Sequence, residues 1–381
     1  MKLDGVKVLD LSLFLPGPHL TMMMADHGAE VIAVEPPTGE PNRDIGIKAN
    51  GASVWFRNTH RGKKSICLDL KVDADREAFL ALCRSADVIV EAFRPGVVDR
   101  LGVGYEAVRA VNPAIIYCSI SAYGQTGPKR LKPAHDLSVE ADSGIVSLNL
   151  GPDGTPAMPG IPAADMASSL MAFGGILMAL YRRTQMGVGD YIDIAMQDSL
   201  IAWLPNALGP LFGEGRAPDV AQERSWGGSA MYQIYCTADD RFVTLGGSEA
   251  KFARNLLEAL GRPDLIPPAT QPPGPAHDPV KAFLRYTFRT RTQAEWDTWF
   301  EGRNICYAPV RNLAEAFAEP HLAERGMLLT DDSGNKHLGI PIRFRNEPGR
   351  VDPRLPDLGE HNRACLDSVA GAREVHQQDR S

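Results

Sequence analysis

Val6-Lys7-Val8-Leu9-Asp10-Leu11, the turn Leu15-Pro16-Gly17-Pro18 and Glu30-Val31-Ile32-Ala33-Val34-Glu35 together decide the fold class. The two outer stretches are short apolar runs of the kind that form strands buried on both faces. Between them His19–His27 has helical character, and Gly28 stands where a C-terminal glycine ends a helix. Strand, helix and strand make a βαβ unit with a right-handed crossover. The series continues with a strand at Ser65–Leu70, a helix at Asp73–Arg84, and strands at Asp87–Glu91 and Ala114–Ile120. The expected class is α/β, a Rossmann-like large domain with a mainly parallel sheet.

Further on, Pro162–Gln185 reads as one long apolar helix and Tyr191–Ala195 as a strand. Then the character changes. Met231–Cys236 and Arg241–Leu245 flank the polar Thr237–Asp240, the pattern of a β-hairpin. Lys251–Leu260 reads as a helix ended by Gly261, Pro267–Pro279 as a Pro/Gly-rich surface connection, and Thr292–Arg303 as an amphipathic helix. The expected organisation is a large domain in two parts, 1–220 and 320–381, with a smaller α+β domain at 225–315 between them.

The chain has 381 residues, 40 Lys+Arg against 47 Asp+Glu, and a net charge of −7. With 44% hydrophobic and 23% charged residues it is of ordinary globular composition, which excludes a disordered or coiled-coil chain. The acidic balance argues against nucleic acid or a polybasic membrane contact as partner. It does not exclude a local basic pocket for a small anion. Six cysteines stand singly without a CxxC pair, so no metal site is expected, and reduced thiols in a cytoplasmic setting are. No secretory signal pattern opens the chain. Met166–Tyr181, the longest apolar stretch, is broken by glycine and reads as a buried helix, not a membrane span.

A nucleotide site of the dinucleotide type needs G-x-G-x-x-G after the first strand. Here that turn is Phe14-Leu15-Pro16-Gly17-Pro18, and its prolines lack the amides that would cradle a pyrophosphate. The fold class therefore brings no NAD or ATP chemistry with it. The turn-rich Ser121–Pro128 leads to His135-Asp136, an ordinary surface pair on spacing alone. Asp165, just before a helix beginning near Met166, reads as an N-cap carboxylate. Glu249, after Gly246-Gly247-Ser248, reads as a first-turn glutamate.

Ordered motifs along nearly the whole chain resemble the family III coenzyme A transferases, a group that also holds α-methylacyl-CoA racemase. They include Leu3-Asp4-Gly5-Val6-Lys7-Val8-Leu9-Asp10, Arg61-Gly62-Lys63-Lys64-Ser65, Leu68-Asp69-Leu70-Lys71 and Arg94-Pro95-Gly96-Val97. Tyr123-Gly124-Gln125-Thr126-Gly127-Pro128 and Leu358-Gly359-Glu360-His361 complete the set. The resemblance implies that Asp165 is the functional aspartate, and that His135, Asp136 and Glu249 match a racemase-type pattern. It favours α-carbon inversion of a 2-methyl-branched acyl-CoA by His135 and Asp165, with Glu249 orienting His135. The alternative is CoA transfer between an acyl-CoA and a free carboxylic acid through an Asp165 intermediate. The N-terminus of the long helix is the expected donor to the oxyanion. No tightly bound cofactor is implied, coenzyme A being part of the substrate. Arg94, Arg61, Lys63 and Lys64 are the expected phosphate partners, with Tyr123, Gly124 and Asp136 beside them. Where many relatives carry an arginine after the second strand, this chain has Pro36-Pro37; either nearby Arg43 substitutes or the CoA nucleotide is held differently. The resemblance also implies an interlocked homodimer, with His135 facing Glu249 of the partner subunit.

Overall fold

The computed structural model describes residues 1–151 and 153–367. Its contacts divide the chain into two compact units: 1–143, 159–203 and 320 onward form the first, and 144–158 with 204–319 the second. Residues 144–158 and 204–220 thus group with the second unit, whereas the sequence pattern assigned them to the first part of the large domain.

The first unit is built on six parallel strands: β1 (Lys7–Asp10), β2 (Glu30–Glu35), β3 (Lys64–Cys67), β4 (Val88–Glu91), β5 (Ile116–Ser121) and β6 (Asp190–Ala195). Their order in the sheet is β3-β2-β1-β4-β5-β6, and all pairings are parallel. This is the doubly wound order, in which the chain reverses direction across the sheet beside β1 and ligands meet the carboxyl ends of the strands. Register is fixed by burial. Leu9, Ile32, Ile66, Ile89 and Tyr117 join one core cluster with Phe79 and Leu82 from the helix α2 (Asp73–Cys83).

The helix after β1, α1 (Pro16–Asp26), begins three residues earlier than the pattern suggests. The apparent turn Pro16-Gly17-Pro18 is its first turn, where proline loses no hydrogen bond because the first amides have no intrahelical partner. Two further helices concern the site: α3 (Asp136–Asp142) and α4 (Ala163–Met186). The latter matches the expected Pro162–Gln185 helix to within one residue, so Asp165 lies inside it rather than ahead of a start near Met166, and it packs on α1 and on β5 and β6. It is long and apolar enough to cross a membrane by length and composition. It is also less buried than expected: Met178 is 70% and Tyr181 69% exposed.

The second unit carries an antiparallel hairpin, β7 (Tyr232–Cys236) and β8 (Phe242–Gly246), extended by β9 (Tyr307–Pro309). Helices α5 (Ala250–Ala259), α6 (Asp278–Phe288) and α7 (Gln293–Phe300) cover it. Phe288 sits at the centre, 5.0 Å from the rings of both Tyr235 and Trp296, and its carbonyl accepts the Trp296 indole at 2.9 Å. The stretch 267–279, expected as a surface connection, contains short helical turns that bury Ala269 and His277.

Candidate active site

Helix α4 opens with Pro162 at its N-cap, which offers no side chain to the first amides. Those amides are taken from outside the helix. Glu140 Oε1 accepts the Ala163 amide at 2.9 Å, and Asp136 Oδ1 accepts those of Ala164 and Asp165 at 2.8 and 3.0 Å. Asp136 and Glu140 lie four apart on α3, a spacing that puts both carboxylates on one face. Asp165 is therefore not the N-cap but a residue of the first turn. The oxyanion role expected of this helix end is also excluded, because its free donors are already engaged.

The same arrangement sets the chemistry of Asp165. A first-turn carboxylate ordinarily gains from the helix N-terminus. Here two other carboxylates have used that field. Burial, then the charges of Asp136 and Glu140, push the Asp165 carboxyl up to about 7. No donor or cation compensates it among the described residues.

Asp165 lines a cavity of about 240 Å³. The chain leaving β1 supplies Phe14 and Pro16, the end of β4 supplies Arg94, and the end of β5 supplies Ser121. His135, the N-cap of α3, joins them and meets the Phe14 ring edge-on at 6.0 Å. The structure thus brings His135, Asp165 and Arg94 to one cavity, with Asp136 beside it as the cap of α4. Two lining groups escaped the sequence reading. The Ser121 hydroxyl is buried without a partner, and the Arg130 guanidinium is exposed with no ion pair among the described residues. Neither belongs to a recognisable local motif; only the strand end at Ser121 pointed to the place.

Other expected ligands of coenzyme A have different work. Arg61 is buried and holds Asp26 through two bonds, at 3.2 and 2.6 Å. Lys63 is buried against Asp10 at 3.0 Å and the Pro18 carbonyl at 2.9 Å. Both cations, expected as phosphate partners, are enclosed by packing, spend their charge on carboxylates inside the fold, and do not line the cavity of Asp165. Lys64 pairs with Glu30 at the surface. Tyr123 donates to Asp142 at 2.7 Å, and Lys132 does so at 2.6 Å, which holds that carboxyl far below the usual range. Gly124 supplies a left-handed turn at φ 80°. Tyr123 and Gly124 therefore shape the loop. Arg43 is committed to Glu35, through two bonds of 2.7 Å, and so does not replace the missing arginine. Glu249 lies in the second unit as the N-cap of α5, not within its first turn, and its side chain makes no cap hydrogen bond.

A second, more apolar cleft of about 630 Å³ lies at the carboxyl ends of β1 to β4, lined by Pro36, Leu70, Lys71, Phe93, Arg100 and Leu101 among others. Lys71 stands four residues after the end of β3 and Arg100 ends the short helix Val97–Arg100; neither is among the ligands expected from the sequence.

A model of CoA-transferase family III matches residues 3–362. The chain belongs to that family. Among curated relatives, this family III protein is 35% identical to the acetyl-CoA:oxalate CoA-transferase of Acetobacter aceti, over 96% of its own length and 95% of that protein. It is 32% identical to the succinyl-CoA:mesaconate CoA-transferase of Haloarcula hispanica, over 99% of each chain. A solved CAIB/BAIF family protein from Brucella suis superposes with a TM-score of 0.84 at 30% identity, over 96% of this chain and 98% of that one. The inversion chemistry that His135 and Glu249 suggested finds no counterpart in the names of these relatives. They support the alternative, CoA transfer. The protein is an enzyme of the family III CoA-transferase type, acting on CoA thioesters.

Proposed function

We propose that the protein moves coenzyme A from an acyl-CoA to a free carboxylate through covalent intermediates on Asp165. The observation that carries this reading is a carboxylate with no compensating cation, facing a small cavity at the carboxyl ends of a doubly wound sheet. In its ionised form Asp165 attacks the thioester carbonyl and CoA leaves as thiolate, giving an acyl–aspartyl anhydride. The thiolate then attacks the aspartyl carbonyl, releases the donor acid and leaves an aspartyl–CoA thioester. The acceptor carboxylate attacks that thioester, and the thiolate returns to the acceptor acyl group, which restores the Asp165 carboxylate. Thioester bonds broken and formed are equal in number, so no other reactant is consumed.

The cavity also suggests donors for the oxyanion of each step. With the α4 amides engaged, Ser121 and His135 are the uncharged lining groups suited to donate to it. Arg94 is suited to a CoA phosphate, while Arg130 is suited to a second carboxylate on the acyl group or acceptor. The relatives' names, with oxalate and mesaconate as partners, support a dicarboxylic substrate. The apolar cleft carrying Lys71 and Arg100 suits the adenine nucleotide. The exposed apolar face of α4 supports a homodimer in which a second copy covers it.

The test is a mass-spectrometric screen of acyl-CoA donors with free mono- and dicarboxylic acids in deuterium oxide. Transfer produces the acceptor's CoA thioester, and Asp165→Asn lowers that rate by about 10³-fold or more. Deuterium at the α-carbon without any new thioester would return the assignment to inversion.

A further inference from the structure

Phe14 stands in the left-handed backbone region at φ 65°. Among the described residues only Asn50 and Asp240 do so without being glycine, and those residue types tolerate the conformation. A phenylalanine there is strained and persists only where its surroundings hold it. The holding groups are visible. Glu40 Oε1 accepts the Phe14 amide at 2.8 Å, and Asn42 Nδ2 donates to the Phe14 carbonyl. Both polar groups of one peptide unit's residue are therefore taken by side chains more than twenty residues downstream.

The clamp is itself anchored. Glu40 and Asn42 are buried. The second Glu40 oxygen accepts the Asn42 amide at 2.7 Å, and the Glu40 amide donates to Glu35 at 2.9 Å. Glu35, the last residue of β2, is fixed by Arg43 and by Ser65. Asn42 meets the Phe14 carbonyl even though this leaves its own Oδ1 buried without a partner. An orphaned acceptor is costly, so its retention marks the bond on the other side as the one that matters. The ring placed in this way lines the cavity of Asp165 and stands edge-on to the His135 imidazole, with 87° between planes.

We propose that Glu40 and Asn42 clamp the Phe14 backbone so that its ring is a fixed wall of the acyl cavity, which makes Phe14 the determinant of acyl length. The proposal rests on the reading of this cavity as the acyl site. Glu40 and Asn42 are positioning residues, acting only through the ring. A relaxed turn could carry its side chain aside for a longer acyl group; a clamped turn keeps the Phe14 Cα–Cβ bond in place, so the ring cannot leave by backbone movement.

The experiment compares acetyl-CoA with octanoyl-CoA in wild type, Phe14→Ala, Asn42→Ala and the double variant. Two quantities are read: the ratio of kcat/KM for the two donors, and the ratio of stabilisation each gives in thermal melting, which needs no turnover. Phe14→Ala shifts the kcat/KM ratio toward octanoyl by about tenfold or more. Asn42→Ala shifts it the same way, and the double variant goes no further than Phe14→Ala alone, because the two act through one element. Should Asn42→Ala not fold, Glu40→Gln, which leaves one accepting oxygen for two amides, takes its place in the cycle. Unchanged ratios in Phe14→Ala, or full additivity in the double variant, overturn the proposal. A wild type that moves no CoA, while the melting ratio still shifts toward octanoyl-CoA in Phe14→Ala and Asn42→Ala, sinks the transferase reading and leaves the clamp standing.

Discussion

Asp10 is a buried carboxylate and Asp165 a half-buried one of the same unit, and they keep opposite company. Asp10 accepts from the Lys63 ammonium, the Ser12 amide and hydroxyl, and the Thr21 hydroxyl. Asp165 has no cation and instead faces Asp136 and Glu140. Both burials are costly, but only the first is compensated within the fold. A buried charge with every bond made ties β1, α1 and β3 together. A half-buried carboxyl left wanting a partner is one whose charge is available for chemistry. The contrast makes quantitative demands on each side.

The largest expected effect is on the partnered side. Lys63→Met leaves Asp10 buried without its cation and lowers stability by about 3–5 kcal/mol, measured by denaturant unfolding. A loss below about 1 kcal/mol would mean that the pair is not the strut described. On the other side the sign reverses. The Asp165 carboxyl titrates near 7 when folded and in the ordinary carboxylate range when unfolded. Its neutral form therefore stabilises the fold at low pH, and that stability is lost as pH rises through about 7. Asp165→Asn avoids the loss, so the variant should exceed wild type by on the order of 2 kcal/mol above that pH and by little below the unfolded carboxyl's range. Equal stability at all pH values would show that Asp165 is not strained by its setting.

Asp136→Asn keeps an oxygen for the α4 amides and removes one negative neighbour. The rising limb of the pH–kcat/KM profile, near 7 in wild type, should move down by on the order of one pH unit. The smallest effect belongs at the surface. Lys64→Ala breaks only an exposed pair with Glu30 and should change stability by less than about 1 kcal/mol. A large loss there would erase the distinction between enclosed and surface pairs.

The parallel sheet was readable because its signals are local. Runs such as Val6–Leu11 and Glu30–Glu35 are apolar at every step, and Gly28, at φ 106°, follows the helix between them. What was missed depends on partners distant in sequence. Asp165 looked like a cap because the true caps, Asp136 and Glu140, sit on another helix. Arg61 and Lys63 looked like phosphate ligands because a run of cations gives no hint of Asp26 and Asp10 waiting 35 and 53 residues upstream. Pro16-Gly17-Pro18 looked like a turn because proline at the start of a helix has the same composition as proline in a loop. The motif resemblance gave the family and pointed to Asp165, a residue that lines a cavity. The choice between inversion and transfer turned on His135 and Glu249, whose types alone do not fix the reaction.

The most direct test of the central claim is intact-protein mass spectrometry after brief exposure to a donor acyl-CoA. Transfer through Asp165 predicts an added mass on the peptide carrying Asp165, removed by hydroxylamine and absent from Asp165→Asn. Turnover with no adduct on that peptide, and with Asp165→Asn still moving CoA, would contradict it.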